Sequence, residues 1–299
     1  MNRNYLKYIA ALLLFGSNGI VAGQIGLSSY EIVFLRACIG GLFLLSIFLL
    51  RKQPWACLQN RRHFAFLAVS GISMGISWIF LYEAYRQIGV GVASLVYYCA
   101  PMIVMGLSPV FFNEKLTLQK GIGIGIVFLG ILLINGQTLG DGNRNWGLFC
   151  GAMGAFAYVA MLIYNKKAKS IKGMENAVLQ LVFAGVAVAV FLLCRQGAVI
   201  KIAKTDWLPI LTLGIVNTGL GCYLYFSAVQ QLSMQTAAVC SYLEPFSAVV
   251  FSAAFLGEAM RAIQILGAVL ILGGAVYAEI ADKSFIYGAR PVFLQTIKK

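Results

Sequence analysis

Charged residues are scarce in this chain. Asp, Glu, Lys and Arg make up 11% of its 299 residues, far below the roughly 25% that is typical of soluble globular domains. Hydrophobic residues make up 60%, and the mean hydropathy is +0.84. This composition excludes a soluble globular domain and predicts an integral membrane protein.

The residues that build catalytic and metal sites are also few. The single histidine, His63, lies in a basic loop, and the sequence has no GxxxxGK[ST] phosphate-binding loop. The seven cysteines are odd in number and include no CxxC pair. We therefore expect no enzyme activity, no cofactor, no metal site and no disulfide framework. The net charge of +13 is distributed between apolar segments rather than clustered, so we expect no nucleic-acid partner.

Ten long apolar segments alternate with short polar loops. Each has about the 20 residues that a helix needs to cross ~30 Å of hydrocarbon, whereas the strands of a membrane barrel are ~10 alternating residues. The sequence therefore predicts an all-α protein with ten transmembrane helices. They lie at about Leu6–Gly23, Tyr30–Leu50, Phe64–Tyr85, Val90–Phe112, Leu118–Asn135, Trp146–Tyr164, Met174–Cys194, Trp207–Val229, Gln235–Leu256 and Ala262–Ile280.

The second half of the chain repeats the first. A constant shift of 144 positions carries Tyr98 onto Tyr242 and Pro101 onto Pro245 without a gap. Further identical pairs are Ser108 and Ser252, Phe111 and Phe255, Glu114 and Glu258, Gly123 and Gly267, and Gly130 and Gly274. Each copy holds five predicted spans, and an odd number makes the second copy enter the membrane from the other side. The duplication therefore predicts two inverted five-helix repeats.

The predicted domain boundaries follow from this duplication. We expect a first repeat over residues 1–136, a Gly/Asn/Asp-rich loop over 137–145, a second and inverted repeat over 146–280, and a tail over 281–299. In this topology, 16 of the 23 Lys and Arg residues lie on one side together with both termini. The positive-inside rule then predicts a multi-pass plasma (inner) membrane protein with both termini in the cytoplasm.

The repeated motif resembles a known family. The two copies read ASLVYYCAPMIVMGLSPVFFNEKLT and AAVCSYLEPFSAVVFSAAFLGEAMR. Their mid-helix proline, terminal acid and following glycine-rich helix resemble the EamA domain of the drug/metabolite transporter superfamily, although Asn113 stands where glycine is usual. Arg36 is similar to an arginine common in the family's second span. The resemblance implies a ten-span carrier with alternating access that exports small metabolites or amino acids, without implying one substrate.

Two prolines lie in the middle of predicted spans. Pro101 and Pro245 each remove a backbone hydrogen bond, and in lipid the freed carbonyl needs another partner. They are candidates for hinges beside a cavity, with a static kink as the alternative. We expect a central cavity lined by polar and aromatic side chains away from the membrane ends, with plain helix packing as the alternative. The candidates are Asn18, Trp78, Tyr82, Tyr97, Tyr98, Tyr158, Tyr223, Tyr242 and Glu244.

Two charged residues fall inside predicted spans. Glu244 precedes Pro245, and a charge at the centre of a span costs about 2.5–3.5 kcal/mol on insertion scales. Glu244 is a candidate for binding a cation, for relaying a coupling proton, or for pairing with Arg36; a structural ion pair or a protonated acid is the alternative. Glu83 and Arg86, near a span end, are expected to be solvated.

These features predict a secondary transporter of small organic solutes. Its expected partners are a small-molecule substrate and the lipid bilayer, with a coupling proton as a candidate. The alternative function is a flippase for a lipid-linked intermediate. Glycines in spans five and ten permit close helix approach, and we expect this seam to be internal, so that the protein is a monomer rather than a dimer.

Overall fold

The computed structural model describes most of the chain as helix. It describes residues 3–52, 54–114, 117–135, 145–195 and 200–256, and, further along, residues 262, 263, 265–267, 269–271, 273, 274, 277 and 278. The predicted tail, Glu258 and most of the predicted inter-repeat loop lie outside the described residues. Six described helical stretches are long and apolar enough to cross a membrane, namely Arg3–Ala22, Ser29–Leu50, Arg61–Ile88, Asn145–Lys167, Gly173–Arg195 and Lys204–Val229.

Six helices lie between residues 3 and 135 of the described chain. They are α1 (Arg3–Gly16), α2 (Asn18–Ala22), α3 (Ser29–Leu50), α4 (Arg61–Tyr97), α5 (Ala100–Phe112) and α6 (Leu118–Asn135). Ser28 starts α3 with a capping box, in which its side chain accepts from the Glu31 amide while Glu31 accepts from the Ser28 amide. A short 3₁₀ turn, Ala56–Leu58, separates α3 from α4.

Six further helices lie between residues 145 and 256 of the described chain. They are α7 (Asn145–Lys167), α8 (Gly173–Arg195), α9 (Trp207–Leu211), α10 (Gly221–Val229), α11 (Met234–Ser241) and α12 (Leu243–Leu256). A π-helical segment, Thr212–Leu220, joins α9 to α10. The described residues between 262 and 278 are helical, in the region of the predicted tenth span.

Helix α4 reverses its direction instead of running straight. The backbone stays helical between Tyr85 and Val90, where the sequence predicts a loop. Residues 20 apart in a straight helix are separated by about 30 Å, yet Ser77 Oγ and Tyr97 Oη lie 3.1 Å apart. The chain therefore folds back between these two residues, so α4 contains two segments that lie side by side.

Both predicted mid-span prolines stand in the first turn of a helix. The chain turns at Tyr98 and Cys99, so that Pro101 is the second residue of α5. It turns again at Tyr242, so that Pro245 is the third residue of α12. This corrects the mid-helix placement. A first-turn amide has no partner within its own helix, so proline is accommodated there without a lost hydrogen bond.

Small residues let several helices approach closely. A Cβ on Gly75 in α4 would lie 2.8 Å from the carbonyl oxygen of Ala184 in α8, and a Cβ on Gly40 in α3 would lie 2.8 Å from that of Gly214. Large side chains such as Leu208 point outward instead and are 76% exposed. This arrangement, with small residues between helices and large apolar ones outside, suits a bundle surrounded by lipid.

The two ends of the bundle differ in charge. One end, which we call the basic end, carries the exposed residues Arg51 and Lys52 after α3, and Lys169 and Lys172 before α8. The backbone amide of Ser170 donates to His63 Nδ1 at 3.1 Å, which joins the start of α4 to this end. We call the other end, where α3 begins and α8 ends, the opposite end.

Candidate functional site

A central cavity of about 330 Å³ lies between the two halves of the chain. Helices from both halves enclose it, including α3 and α4 from the first and α7, α10 and α12 from the second. Small-molecule sites typically enclose about 300–1,000 Å³, so the cavity has room for a compact organic solute.

Most of the candidate residues meet in this cavity. The structure brings together a cation, an anion, an amide, a proline and five aromatic side chains that are distant in sequence. They are Asn18, Arg36, Trp78, Tyr82, Tyr97, Tyr98, Pro101, Tyr158 and Glu244. Pro101 lines the cavity at the first turn of α5, where the helix begins.

Three candidates lie away from the lining. Tyr242 is completely buried and packs in an apolar cluster with Met105 and Ile124. The Tyr223 ring lies under the ammonium group of Lys7, with the nitrogen 5.9 Å from the ring centre. Pro245 follows Glu244 in α12 but is not part of the lining. A helical turn of 100° per residue carries such neighbours to different faces.

Residues of α10 contribute a face that the sequence analysis missed. Cys222, Tyr225 and Phe226 line the cavity, as do Phe15 and Tyr85 from other helices. The spacing of the three α10 residues places them on one side of a helix. This periodicity was present in the sequence, but Tyr223, which points elsewhere, was selected in place of Tyr225.

Hydrogen bonds hold the aromatic wall in place. The hydroxyl groups of Tyr158 and Tyr225 lie 2.9 Å apart and join α7 to α10. The Tyr97 and Tyr158 rings meet edge to face, with centres 5.7 Å apart. Ser77 Oγ donates to the Gly154 carbonyl at 2.9 Å and lies 3.1 Å from the Tyr97 hydroxyl. Paired hydroxyl groups can remain in an apolar site because they satisfy one another.

Arg36 is positioned by contacts on two of its sides. Its guanidinium lies over the Trp78 ring, 5.1 Å from the ring centre, and its Nε donates to Thr218 Oγ1 at 2.9 Å. The residue is 6% exposed. Within the described part of the chain, this is its single hydrogen bond to protein, although a guanidinium has five N–H donors. The other donors can therefore serve a bound anionic group.

Glu244 places a carboxylate in the same cavity. It stands in the first turn of α12 and is half-buried. Among the described residues, neither Arg36 nor any other cation forms an ion pair with it. The buried Oδ1 of Asn18, another lining residue, likewise has no hydrogen-bond partner there. The cavity thus contains one cationic and one anionic group that are not neutralised by direct contact.

The π-helical segment supports the Arg36 side of the cavity. Thr218 Oγ1, which accepts from Arg36, donates in turn to the Leu213 carbonyl at 2.7 Å. Asn217 Nδ2 donates to the Leu14 carbonyl at 2.9 Å and to Ser17 Oγ at 2.8 Å, beside the break between α1 and α2. Short π-helical segments often occur at functional sites, and this one attaches α10 to two other helices.

A polar clasp closes the basic end of the bundle. Glu114 accepts from the amides of Met234 and Gln235 at 2.7 and 3.0 Å, at the start of α11. Lys166 Nζ lies 3.4 Å from Glu114 Oε1 and donates to the Leu232 carbonyl at 2.8 Å. A carboxylate at a helix N-terminus is favoured by the free amides and by the helix dipole. The clasp therefore ties the ends of α5 and α7 to the turn before α11.

A second polar cluster lies at the opposite end and corrects one expectation. Glu83 is 8% exposed rather than solvated, because it accepts a hydrogen bond from the Tyr30 hydroxyl. Arg195 and Arg86 approach the same carboxylate at 3.6 and 3.5 Å. The tertiary contact between α3 and α4 thus removes Glu83 from water, while Arg86 and Arg195 remain partly exposed.

Apolar helices that surround a polar and aromatic cavity define a membrane-transporter architecture, and sequence comparison identifies the family. The profile of the EamA-like transporter family matches residues 3–136 and again residues 145–278. The chain belongs to the EamA-like transporter family. The family and its named relatives are transporters and not enzymes.

Individual relatives agree with this assignment. The uncharacterized transporter YxxF of Bacillus subtilis is 27% identical over 273 residues, covering 90% of this chain and 87% of that protein. A probable amino-acid metabolite efflux pump of Salmonella typhimurium is 30% identical over 196 residues, covering 62% of this chain and 65% of the pump. A protein of known crystal structure superposes with a TM-score of 0.79 at 20% identity, covering 93% of this chain and 98% of its own, which shows a shared fold.

Proposed function

We propose that this transporter exports small zwitterionic solutes of the amino-acid type by alternating access. The observation that carries the proposal is that Arg36 and Glu244 line the same aromatic cavity. In the described part of the chain they form no direct ion pair with each other. A solute with a carboxylate and an ammonium group can satisfy both, and an apolar or aromatic side chain suits the surrounding rings. The probable amino-acid metabolite efflux pump among the relatives supports this choice of solute class and direction.

The contacts along α6 support ten spans in two inverted repeats. A Cβ on Gly123 would lie 2.8 Å from the Gly274 carbonyl oxygen, and one on Gly130 would lie 2.5 Å from that of Gly267. Under the shift of 144 positions, Gly267 is the counterpart of Gly123 and Gly274 is that of Gly130. Each contact is therefore the counterpart of the other, as expected for two units related by a two-fold axis.

Alternating access needs one closed end and one end from which the cavity is reached. The clasp of Glu114 and Lys166 closes the basic end, whereas the lining of the cavity extends to Ala22, where α2 ends toward the opposite end. From the positive-inside rule we infer that the basic end faces the cytoplasm and that the membrane is the inner membrane. We therefore assign this conformation to the outward-facing state of a monomeric exporter with both termini in the cytoplasm.

The test of the proposed solute class uses three related compounds. Phenylalanine carries both charges, phenethylamine lacks the carboxylate, and 3-phenylpropionate lacks the ammonium group. Hydrogen bonds to charged groups contribute about 1.5–3 kcal/mol, so we expect purified protein to bind phenylalanine at least ~10-fold more tightly than either analogue. Binding is measured by ligand-induced thermal stabilisation, and transport by counterflow in liposomes.

Two variants test which charged group of the solute each residue binds. Arg36→Gln should abolish the preference for phenylalanine over phenethylamine and keep the preference over 3-phenylpropionate. Glu244→Gln should abolish the preference for phenylalanine over 3-phenylpropionate and keep the preference over phenethylamine. Tyr223→Phe, outside the cavity, is the matched control and should behave as the wild type. Equal binding of all three compounds by the wild type, or the same loss in both charge variants, would contradict the proposal.

A further inference from the structure

An apolar groove of about 280 Å³ lies on the outer face of the bundle, between α3 and α8. It is separate from the central cavity, since the two share no lining residue. Its lining has no polar surface. The proposed transport of zwitterions makes no use of this groove.

Small residues form the floor of the groove. A Cβ on Gly41 would lie 3.6 Å from Leu181 Cβ, and one on Gly185 would lie 3.8 Å from Ala37 Cβ. Larger residues form its walls, among them Leu42, which is 64% exposed. The groove therefore opens away from the bundle, toward the hydrocarbon of the membrane.

The same contacts show that α3 and α8 run in opposite directions. Residue numbers rise from Ala37 to Gly41 along α3 as they fall from Gly185 to Leu181 along α8. The end of α3 and the start of α8 consequently lie together, at the basic end. Groove residues occupy α3 from Phe34 to Leu45, a rise of about 16 Å, which is close to half of the ~30 Å hydrocarbon thickness.

Basic side chains stand just beyond the groove at this end. Arg51 and Lys52 follow α3, Lys172 precedes α8, and all three are exposed. Arg51 lies six residues beyond Leu45, about 9 Å along a helix. Glu175, in the first turn of α8, is 5% exposed and accepts from the Cys57 amide at 2.8 Å, so it does not present a charge to the surface beside these cations.

We propose that the groove binds one acyl chain of an anionic phospholipid, whose phosphate is held by Arg51, Lys52 and Lys172. An apolar groove about as long as one leaflet is thick fits a hydrocarbon chain, and exposed cations at the membrane surface attract anionic headgroups. The dimensions of the groove and the charge at its end thus select the same ligand.

The test counts lipids bound to the purified full-length protein. Protein in micelles that contain equal amounts of phosphatidylglycerol and phosphatidylcholine is analysed by native mass spectrometry. We expect one phosphatidylglycerol to be retained under activation that removes phosphatidylcholine. Arg51→Gln with Lys52→Gln should lower the ratio of the two lipids by about fivefold for each removed cation. Arg3→Gln with Lys7→Gln, which removes the same charge from α1, is the matched control and should leave the ratio unchanged.

Filling the groove tests the position of the acyl chain. Gly185→Leu should release the retained lipid, because the new side chain occupies the groove while its Cβ makes ordinary contact with Ala37. Cys38→Phe fills the groove from the other helix and gives the same test if the first variant folds poorly. Equal retention of both lipids, or retention of phosphatidylglycerol by both filled variants, would overturn the proposal. A lipid-free wild-type dimer that Gly185→Leu dissociates would overturn it too, since a second copy would then cover the groove.

Discussion

The carboxylate of Glu114 and the ammonium group of Lys166 lie 3.4 Å apart at the basic end of the bundle. They come from the ends of α5 and α7, and each also binds backbone atoms of the turn into α11. Both side chains are largely shielded from water, at 19% and 16% exposure. The pair therefore fastens together three segments that must separate if the cavity is to open at this end.

Removing the carboxylate should loosen this end. Glu114→Ala removes the carboxylate that accepts from the Met234 and Gln235 amides, and loss of such a helix cap together with its ion pair should cost about 2 kcal/mol of stability. The measurement is thermal unfolding, combined with acetylation of Lys166, which should become faster. Glu114→Gln keeps one acceptor oxygen. Its stability and its rate of Lys166 acetylation should therefore lie between those of the wild type and Glu114→Ala. Equal acetylation rates in all three proteins would argue against a clasp.

The glycine seam of α6 gives a prediction with an internal control. Gly123→Ala would place a Cβ 2.6 Å from that of Ala278 and 2.8 Å from the Gly274 carbonyl oxygen, and such overpacking should cost about 1–3 kcal/mol. Gly125→Ala meets nothing within 4 Å and should be neutral or stabilising by up to about 1 kcal/mol. The stability of both variants is measured by thermal unfolding. Equal destabilisation would mean that the outer face of α6 is also packed.

Two residues of the π-helical segment give a second pair of test and control variants. Asn217 is 2% exposed and joins the Leu14 carbonyl and Ser17, so Asn217→Ala should cost about 1–3 kcal/mol and lower the melting temperature. Thr212 lies in the same segment but is only half-buried, and its hydroxyl donates to the Leu208 carbonyl within the same helical stretch. Thr212→Ala should change the stability by less than about 0.5 kcal/mol. A larger effect at Thr212 than at Asn217 would contradict the inferred docking.

Proton coupling through Glu244 predicts a pH dependence. If ionised Glu244 holds the solute ammonium, binding should weaken as the pH falls through the pKa of this carboxyl, and Glu244→Gln should lose this step. The other ionisable groups of the cavity are Arg36, Cys222 and the lining tyrosines, so Tyr98→Phe is a suitable control and should keep the step. The measurement is solute counterflow at several pH values. The same pH profile in wild type and Glu244→Gln would rule out coupling through this residue.

Part of the cavity lining could be predicted from composition, because a charge within an apolar run is costly to bury. Arg36 and Glu244 stood out as charges within apolar runs, and both line the cavity. Helical periodicity also predicts that Cys222 and Tyr225, three residues apart in α10, lie on the same face of the helix. Aromatic residue type alone does not show which way a side chain points, and Tyr223 points away from the cavity.

The remaining features depend on tertiary contacts that a local pattern does not contain. Glu83 was expected in water because it lies near a span end, yet the Tyr30 hydroxyl from α3 gives it a buried partner. The prolines were expected to bend continuous helices, whereas the chain turns before each of them. The reversal within α4, shown by the contact of Ser77 with Tyr97, was by contrast expected, because the sequence predicts two spans joined by a loop between Tyr85 and Val90.

One more consequence follows from the two charges of the cavity. Under the shift of 144 positions, Glu244 corresponds to Ala100 and Arg36 corresponds to Gln180. Ala100 also lines the cavity, while Gln180 is buried and donates to Ser70 at 2.6 Å. A symmetric dimer of a single five-helix unit would carry every charge twice and so could not distinguish the two ends of a solute. In the proposed mechanism, the divergence of the two copies within one chain lets one end of the solute meet a cation and the other an anion.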